Sequence, residues 1–122
     1  MRAKDVLGRA GEDRAVAHLI ENGYRVVERN WRCPAGEIDV VAETDTVIAI
    51  VEVKTRRSEL YGHPLEAIDA RKRARLWRLA CTWAAQHPHR LLGRRLRIDA
   101  IAIVGDDPAA GRLEHLTDIE VP

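Results

Sequence analysis

Gly36-Glu37-Ile38-Asp39-Val40-Val41-Ala42-Glu43-Thr44-Asp45-Thr46-Val47-Ile48-Ala49-Ile50-Val51-Glu52-Val53-Lys54 is the stretch that decides the fold. Two β-rich runs, Glu37 to Ala42 and Thr46 to Thr55, are joined by the short polar link Glu43-Thr44-Asp45, the signature of an antiparallel hairpin. Val47 to Val51 is apolar at every position, so the second run is expected to be a central strand buried on both faces. Residues two apart on a strand share a face. Glu37 therefore points with Asp39, and Glu52 with Lys54. Pairing the two runs collects four charged groups on one patch.

The rest of the chain builds around this hairpin. Residues 5–22 read as a helix, with Asp5 as N-cap and a loose apolar stripe of Leu7, Ala10, Ala15, Leu19 and Ile20, ended by Asn22-Gly23. Tyr24 to Trp31 reads as a strand, and Arg32-Cys33-Pro34-Ala35-Gly36 as a turn. After a polar loop from Arg56 to His63, Pro64 opens a helical stretch. Leu65 to Gln86 continues it with an interruption near Asp69-Ala70, and His87-Pro88 stops it. Leu76, Leu79, Ala80 and Trp83 give that helix its apolar stripe. Leu96 to Val104 is a fourth strand, and Arg112 to Thr117 an edge strand. The order helix, three strands, helix, two strands predicts an α/β domain, with helices covering a mixed sheet of about five strands. The 122 residues are expected to form one domain, 1–122.

Composition bounds the function. With 46% hydrophobic and 32% charged residues the chain reads as a soluble globular protein, and no apolar run is long enough to span a membrane. Met1-Arg2-Ala3-Lys4-Asp5 lacks an apolar signal core, and Cys33 and Cys81 form no metal-ligand spacing, so a cytoplasmic protein with reduced thiols is expected. The net charge of +1 hides an asymmetry. Residues 54–97 carry twelve Lys or Arg against three acids, a net +9, while the remainder is net −8. A basic middle suits a polyanion, and a solvated arginine-rich helix is the plainer explanation.

The hairpin charges have a chemistry of their own. Mg²⁺, or Mn²⁺, takes oxygen ligands and keeps several waters, so one or two carboxylates plus a substrate phosphate complete its shell. Asp39 and Glu52 are those carboxylates, the carbonyl of Val53 is a further oxygen, and Lys54 can orient a water or neutralise a phosphate. These are the parts of a phosphodiester hydrolase. Taken alone, Asp…Glu-x-Lys is a weak pattern, and the acids can equally pair with Lys54 on a half-exposed strand. The position of the charges, at the ends of otherwise apolar strands, favours function.

These residues also carry a family likeness. The chain resembles the bacterial YraN-like family, an uncharacterised group with a restriction-endonuclease-like fold. The likeness runs through Gly8-Arg9-Ala10-Gly11-Glu12, Gly23-Tyr24, Asn30-Trp31-Arg32, Gly36-Glu37-Ile38-Asp39, Val51-Glu52-Val53-Lys54-Thr55-Arg56, Gly62 with Pro64, Glu66-Ala67 and Lys72, about residues 8–103. The wider superfamily carries the motif PD-(D/E)xK and includes archaeal Holliday-junction resolvases. That similarity implies a metal-dependent endodeoxyribonuclease in which Asp39, Glu52 and Lys54 are the motif residues. It also implies that Glu12, from the first helix, is a further catalytic and metal-ligating acid. Ile38 stands where the motif has proline, and Tyr61 where the family often has Phe. Resolvase-like relatives are often dimers, so a homodimer is compatible with the likeness, although no sequence feature demands one.

Arg56 and Arg57 after the motif, and Arg71, Lys72, Arg75 and Arg78 on the long helix, are the expected nucleic-acid contacts. Lys72 can also approach the metal site. Trp31 and Trp83 read as core and Trp77, among arginines, as a surface aromatic. Two further readings remain: a nucleic-acid-binding module without catalysis, and a protein-interaction domain whose basic helix docks an acidic partner.

Overall fold

The structure is a computed structural model and describes residues 5–60 and 62–120. Tyr61 and residues 1–4, read above for family likeness and for the missing signal core, lie outside them. Helix α1 spans Val6–Glu21, with the Asp5 carboxylate accepting the Gly8 N–H as N-cap. Strands β1 (Arg25–Cys33), β2 (Gly36–Glu43) and β3 (Val47–Arg56) follow. A 3-10 turn, Pro64–Ala67, leads to α2 (Ala70–Gln86), and a second, Pro88–Leu91, leads to β4 (Arg95–Val104) and β5 (Arg112–Leu116). The expected interruption at Asp69-Ala70 is real: Asp69 ends the 3-10 segment's exit and caps α2 through the N–H of Lys72. The β1–β2 turn is tighter than expected: Arg32, Cys33 and Gly36, read as turn, belong to the strands, with Arg32 paired to Glu37 and Cys33 to Gly36.

The five strands form one mixed sheet in the order β1-β2-β3-β4-β5. All neighbours are antiparallel except β3 and β4, which run parallel and are joined through α2. The central strand β3 serves two cores by simple alternation. Ile48 and Ile50 join Leu76, Leu79 and Trp83 of α2, while Ala49 and Val51 join Ala15 and Leu19 of α1. This alternation carries on past the core. Glu52 and Lys54 therefore emerge on the α2 face, and Val53 and Thr55 on the α1 face. There α1 approaches so closely that a Cβ at Gly11 would overlap the Thr55 hydroxyl, which explains a glycine in mid-helix.

One feature of the sheet creates the site. The β2–β3 ladder runs from Glu43–Ile48 to Val40–Val51 and stops. Beyond that point β2 stays with β1 as far as Gly36–Cys33, and β3 stays with β4 as far as Arg56–Val104. The sheet forks, and the fork opens immediately after Val40 and Val51.

Candidate active site

Asp39 and Glu52 are the first residues past the end of the ladder, one on each arm of the fork. Asp39 is 5% exposed and Glu52 6%. The local backbone aims them. Ile38 and Val41 both pack on the α2 side although three apart, so the alternation of β2 breaks at Asp39. Across from it in β1, Asn30 holds a left-handed φ of 53°. Asp39 Oδ2 then accepts the N–H of Val53 at 2.8 Å, replacing the lost strand hydrogen bond.

A cavity of about 390 Å³ fills the fork, lined by Gly36, Glu37, Asp39, Glu52, Val53 and Lys54 from the strands. Arg32 and Cys33 line it from β1, and Lys72 and Arg75 from α2. All four hairpin charges singled out from the sequence thus meet in one place. Lys72 Nζ lies 3.0 Å from Glu52 Oε2, and Lys54 Nζ lies 3.9 Å from the same oxygen. Neither ammonium makes an aligned hydrogen bond with it. Glu37 is engaged by Arg32 at 2.9 Å. Arg75 lies over the β1–β2 turn, where Gly36 has φ 146° and a Cβ would come within 2.8 Å of the guanidinium.

Electrostatics mark the pair of acids. Burial, and next the neighbouring Asp39, push the pKa of Glu52 up to about 7, against the opposing pull of Lys72 and Lys54. Asp39 is close enough to share a hydrogen bond with it. Burial lowers the pKa of Lys54, partly offset by Glu52. Two buried carboxylates this close need a proton or a cation between them.

The carboxylate of Glu12 is buried and is not among the groups lining the cavity; Oε1 accepts Arg29 Nε at 2.9 Å and Asn30 Nδ2 at 3.0 Å. Among the described residues no group of three or more His, Cys, Asp and Glu side chains is arranged to hold a metal ion. Glu12 braces β1 at Asn30, the residue facing the break at Asp39. Of the expected nucleic-acid contacts, Lys72 and Arg75 line the cavity, while Arg56, Arg57, Arg71 and Arg78 are exposed and do not line it. Trp77 is 37% exposed, whereas Trp31 and Trp83 are core. His63 lies away from the cavity, capping the first 3-10 turn through Leu65 N–H and meeting Glu114 at 3.0 Å.

The chain matches the family described as "Uncharacterised protein family UPF0102" over residues 11–103. It belongs to that family. A UPF0102 protein of Paenarthrobacter aurescens is 50% identical over 119 residues, covering 98% of this chain and 97% of that one. Another, from Beutenbergia cavernae, is 48% identical with coverage of 98% and 99%, and one from Frankia casuarinae is 43% identical with coverage of 95% and 97%. This UPF0102 member is thus similar to its relatives along nearly their whole length. Among its described residues no helix is long and apolar enough to cross a membrane.

Sequence reading missed one polar cluster of this family member, on the α1 side of the sheet. Asp99, fully buried in β4, accepts both Arg97 Nε and Nη2 at 2.8 Å and His115 Nε2 at 2.8 Å. His115 Nδ1 meets His18 Nε2 of α1 at 3.0 Å, and Arg97 donates to the Tyr24 hydroxyl at 2.7 Å. Burial opposes the charge of Asp99, but hydrogen bonds from His115 and Arg97 outweigh it and hold its pKa below the usual range. The signal was present: Arg97-x-Asp99 interrupts an apolar strand as Glu52-x-Lys54 does.

Proposed function

We propose that this protein is a metal-dependent nuclease that hydrolyses phosphodiester bonds in DNA, with branched or flapped DNA as its substrate. The observation that carries the reading is the Asp39–Glu52 carboxylate pair in the fork, buried, mutually repelling and ringed by Lys54, Lys72, Arg75 and Arg32. The donor set is all oxygen, which suits Mg²⁺ or Mn²⁺. Asp39 and Glu52 would hold the ion, which when bound polarises a phosphate and makes water a stronger nucleophile.

The chain's own residues supply the rest. Val53 N–H fixes the rotamer of Asp39, so that carboxylate is oriented before any ligand arrives. Lys54, half-buried and with a lowered pKa, is the group to orient the attacking water or to neutralise charge growing on the phosphate. Arg75, with exposed Arg71 and Arg78 on the same helix and Arg56 and Arg57 at the end of β3, forms the approach for a polyanionic backbone. Cleavage of both strands of a branched substrate calls for two copies, and a homodimer in the cytoplasm belongs to this proposal.

The test is direct. Purified protein with Mg²⁺ or Mn²⁺ is expected to cut a panel of branched, flapped and single-stranded DNAs. Asp39→Asn and Glu52→Gln variants that cut as well as the parent would remove the assignment. One observation favours a second reading, a nucleic-acid-binding module without catalysis: Lys72 already pairs with Glu52 at 3.0 Å. On that reading DNA binding falls steeply with salt, is indifferent to metal, and survives Asp39→Asn.

A further inference from the structure

Lys72 stands in a place that local helix energetics disfavour. It is the third residue of α2, and the first turn contains no acid. The positive end of a helix dipole repels a cation there. After an Asp N-cap this position commonly holds a glutamate or glutamine that closes a capping box. Here the Asp69 half of the box is present, accepting the Lys72 N–H at 2.9 Å, and the other half is replaced by a lysine. Its ammonium turns into the fork, 3.0 Å from Glu52 Oε2 and nearer to it than the motif lysine Lys54.

The oxygen it meets is buried and lacks an aligned hydrogen bond. An ion pair without hydrogen-bond alignment is held by charge alone. That charge balances the Asp39–Glu52 repulsion, the service a divalent cation would perform at the same carboxylates.

We infer that Lys72 is a built-in competitor for the metal: its ammonium takes the cation's place at Glu52 and must leave before a divalent ion binds. The inference rests on the metal reading of Asp39 and Glu52 given above. It goes further by assigning a second cation, absent from the Asp…Glu-x-Lys pattern, to control of occupancy. Once displaced, Lys72 remains at the mouth of the cavity beside Arg75, which follows it by three residues and so shares its helix face. A phosphodiester bound there gives the freed ammonium a new partner. Metal and nucleic acid would then bind with positive coupling, each favouring the position of Lys72 that the other needs.

The experiment is a calorimetric titration of Mn²⁺ alone into the full chain, free of nucleic acid, for the parent, Lys72→Met and Lys72→Arg. Removing a competing charge at this range is expected to tighten Mn²⁺ binding at least about fivefold in Lys72→Met. Lys72→Arg, which keeps the charge, is expected to remain near the parent. A lysine with a merely structural role would give weaker binding on removal. Circular dichroism checks that the variants fold. Asp39→Asn in the Lys72→Met background must abolish the gain, which locates the ion. Equal or weaker affinity in Lys72→Met overturns the role of Lys72 and leaves the metal reading standing. No Mn²⁺ binding in either parent or Lys72→Met overturns both.

Discussion

The carboxylate of Asp39 accepts the backbone N–H of Val53 at 2.8 Å, bridging β2 and β3 where their own ladder ends. This bond does two jobs. It satisfies a backbone donor that the fork would leave unpaired, and it fixes the acid in the cavity. Structure and site are coupled through one side chain.

Substitutions at Asp39 separate those roles. Asp39→Asn keeps an oxygen acceptor for Val53, whereas Asp39→Ala leaves a buried N–H without one, at a cost of about 1–3 kcal/mol. Urea unfolding should show Asp39→Ala less stable than Asp39→Asn by that amount. Both variants should lose divalent-ion binding. Equal stability of the two would mean that the bridge contributes nothing to the fold.

Stability should depend on pH through Glu52. Its folded pKa is raised to about 7, above the ordinary value of 4.5. The folded state therefore holds this proton more tightly than the unfolded one. The contribution is fully present below pH 4.5 and is lost as pH rises through about 7. At most it amounts to about 3 kcal/mol. Relative to the parent, Glu52→Gln should gain stability as pH rises across that window. Mn²⁺ should restore stability to the parent at pH 8 and not to Glu52→Gln.

The Asp99 cluster predicts the opposite sign. Burial, and then the facing His115, lower the pKa of His18 below 6.5, so its neutral form is favoured in the fold. That contribution is present above pH 6.5 and is lost as pH falls through the lower folded value. The hydrogen bonds agree. Asp99 accepts the His115 Nε2–H, which leaves His115 Nδ1 to accept from His18 Nε2, while His18 Nδ1 faces the amide nitrogen of Asn22, a donor, so that a proton added to His18 would meet another donor. Asp99→Asn breaks a buried pair with Arg97 and should cost about 3–5 kcal/mol in urea unfolding. A cost under about 1 kcal/mol would contradict this account of the cluster.

Much of the fold was legible because its signals are local. The three-residue link gives the hairpin, the apolar run Val47–Val51 gives the central strand, and Asp69 with Pro64 gives the interrupted second helix. The Asp39, Glu52, Lys54 set was legible because period-two alternation places charge on a face without tertiary information. The pairing of those charges was legible only in part. The sequence marks Lys72 as able to approach the site, but its contact with Glu52, twenty residues away through the crossover, depends on how Leu76, Leu79 and Trp83 seat α2 on the sheet. The partners of Glu12 were not legible: the family likeness put it in the site, and the fold adds that its Oε1 accepts from Arg29 and Asn30 of β1.

The glycine in α1 offers a packing test. A methyl group at Gly11 meets the Thr55 hydroxyl, so Gly11→Ala should destabilise by about 1–3 kcal/mol through overpacking, against the helix propensity of alanine. Adding Thr55→Ala should recover part of the loss. Calorimetric melting of the two single variants and the double one measures the coupling. Strict additivity would place α1 farther from β3 than described.

The central claim is that Asp39 and Glu52 together hold a divalent cation. A crystal of the full chain soaked in Mn²⁺ and measured at the manganese absorption edge tests it in a single anomalous map. The account predicts one peak bound by Asp39 and Glu52 oxygens in the fork, with the Lys72 ammonium moved off Glu52, and no such peak in Asp39→Asn. A map with Lys72 still on Glu52 and no manganese in the fork would contradict it.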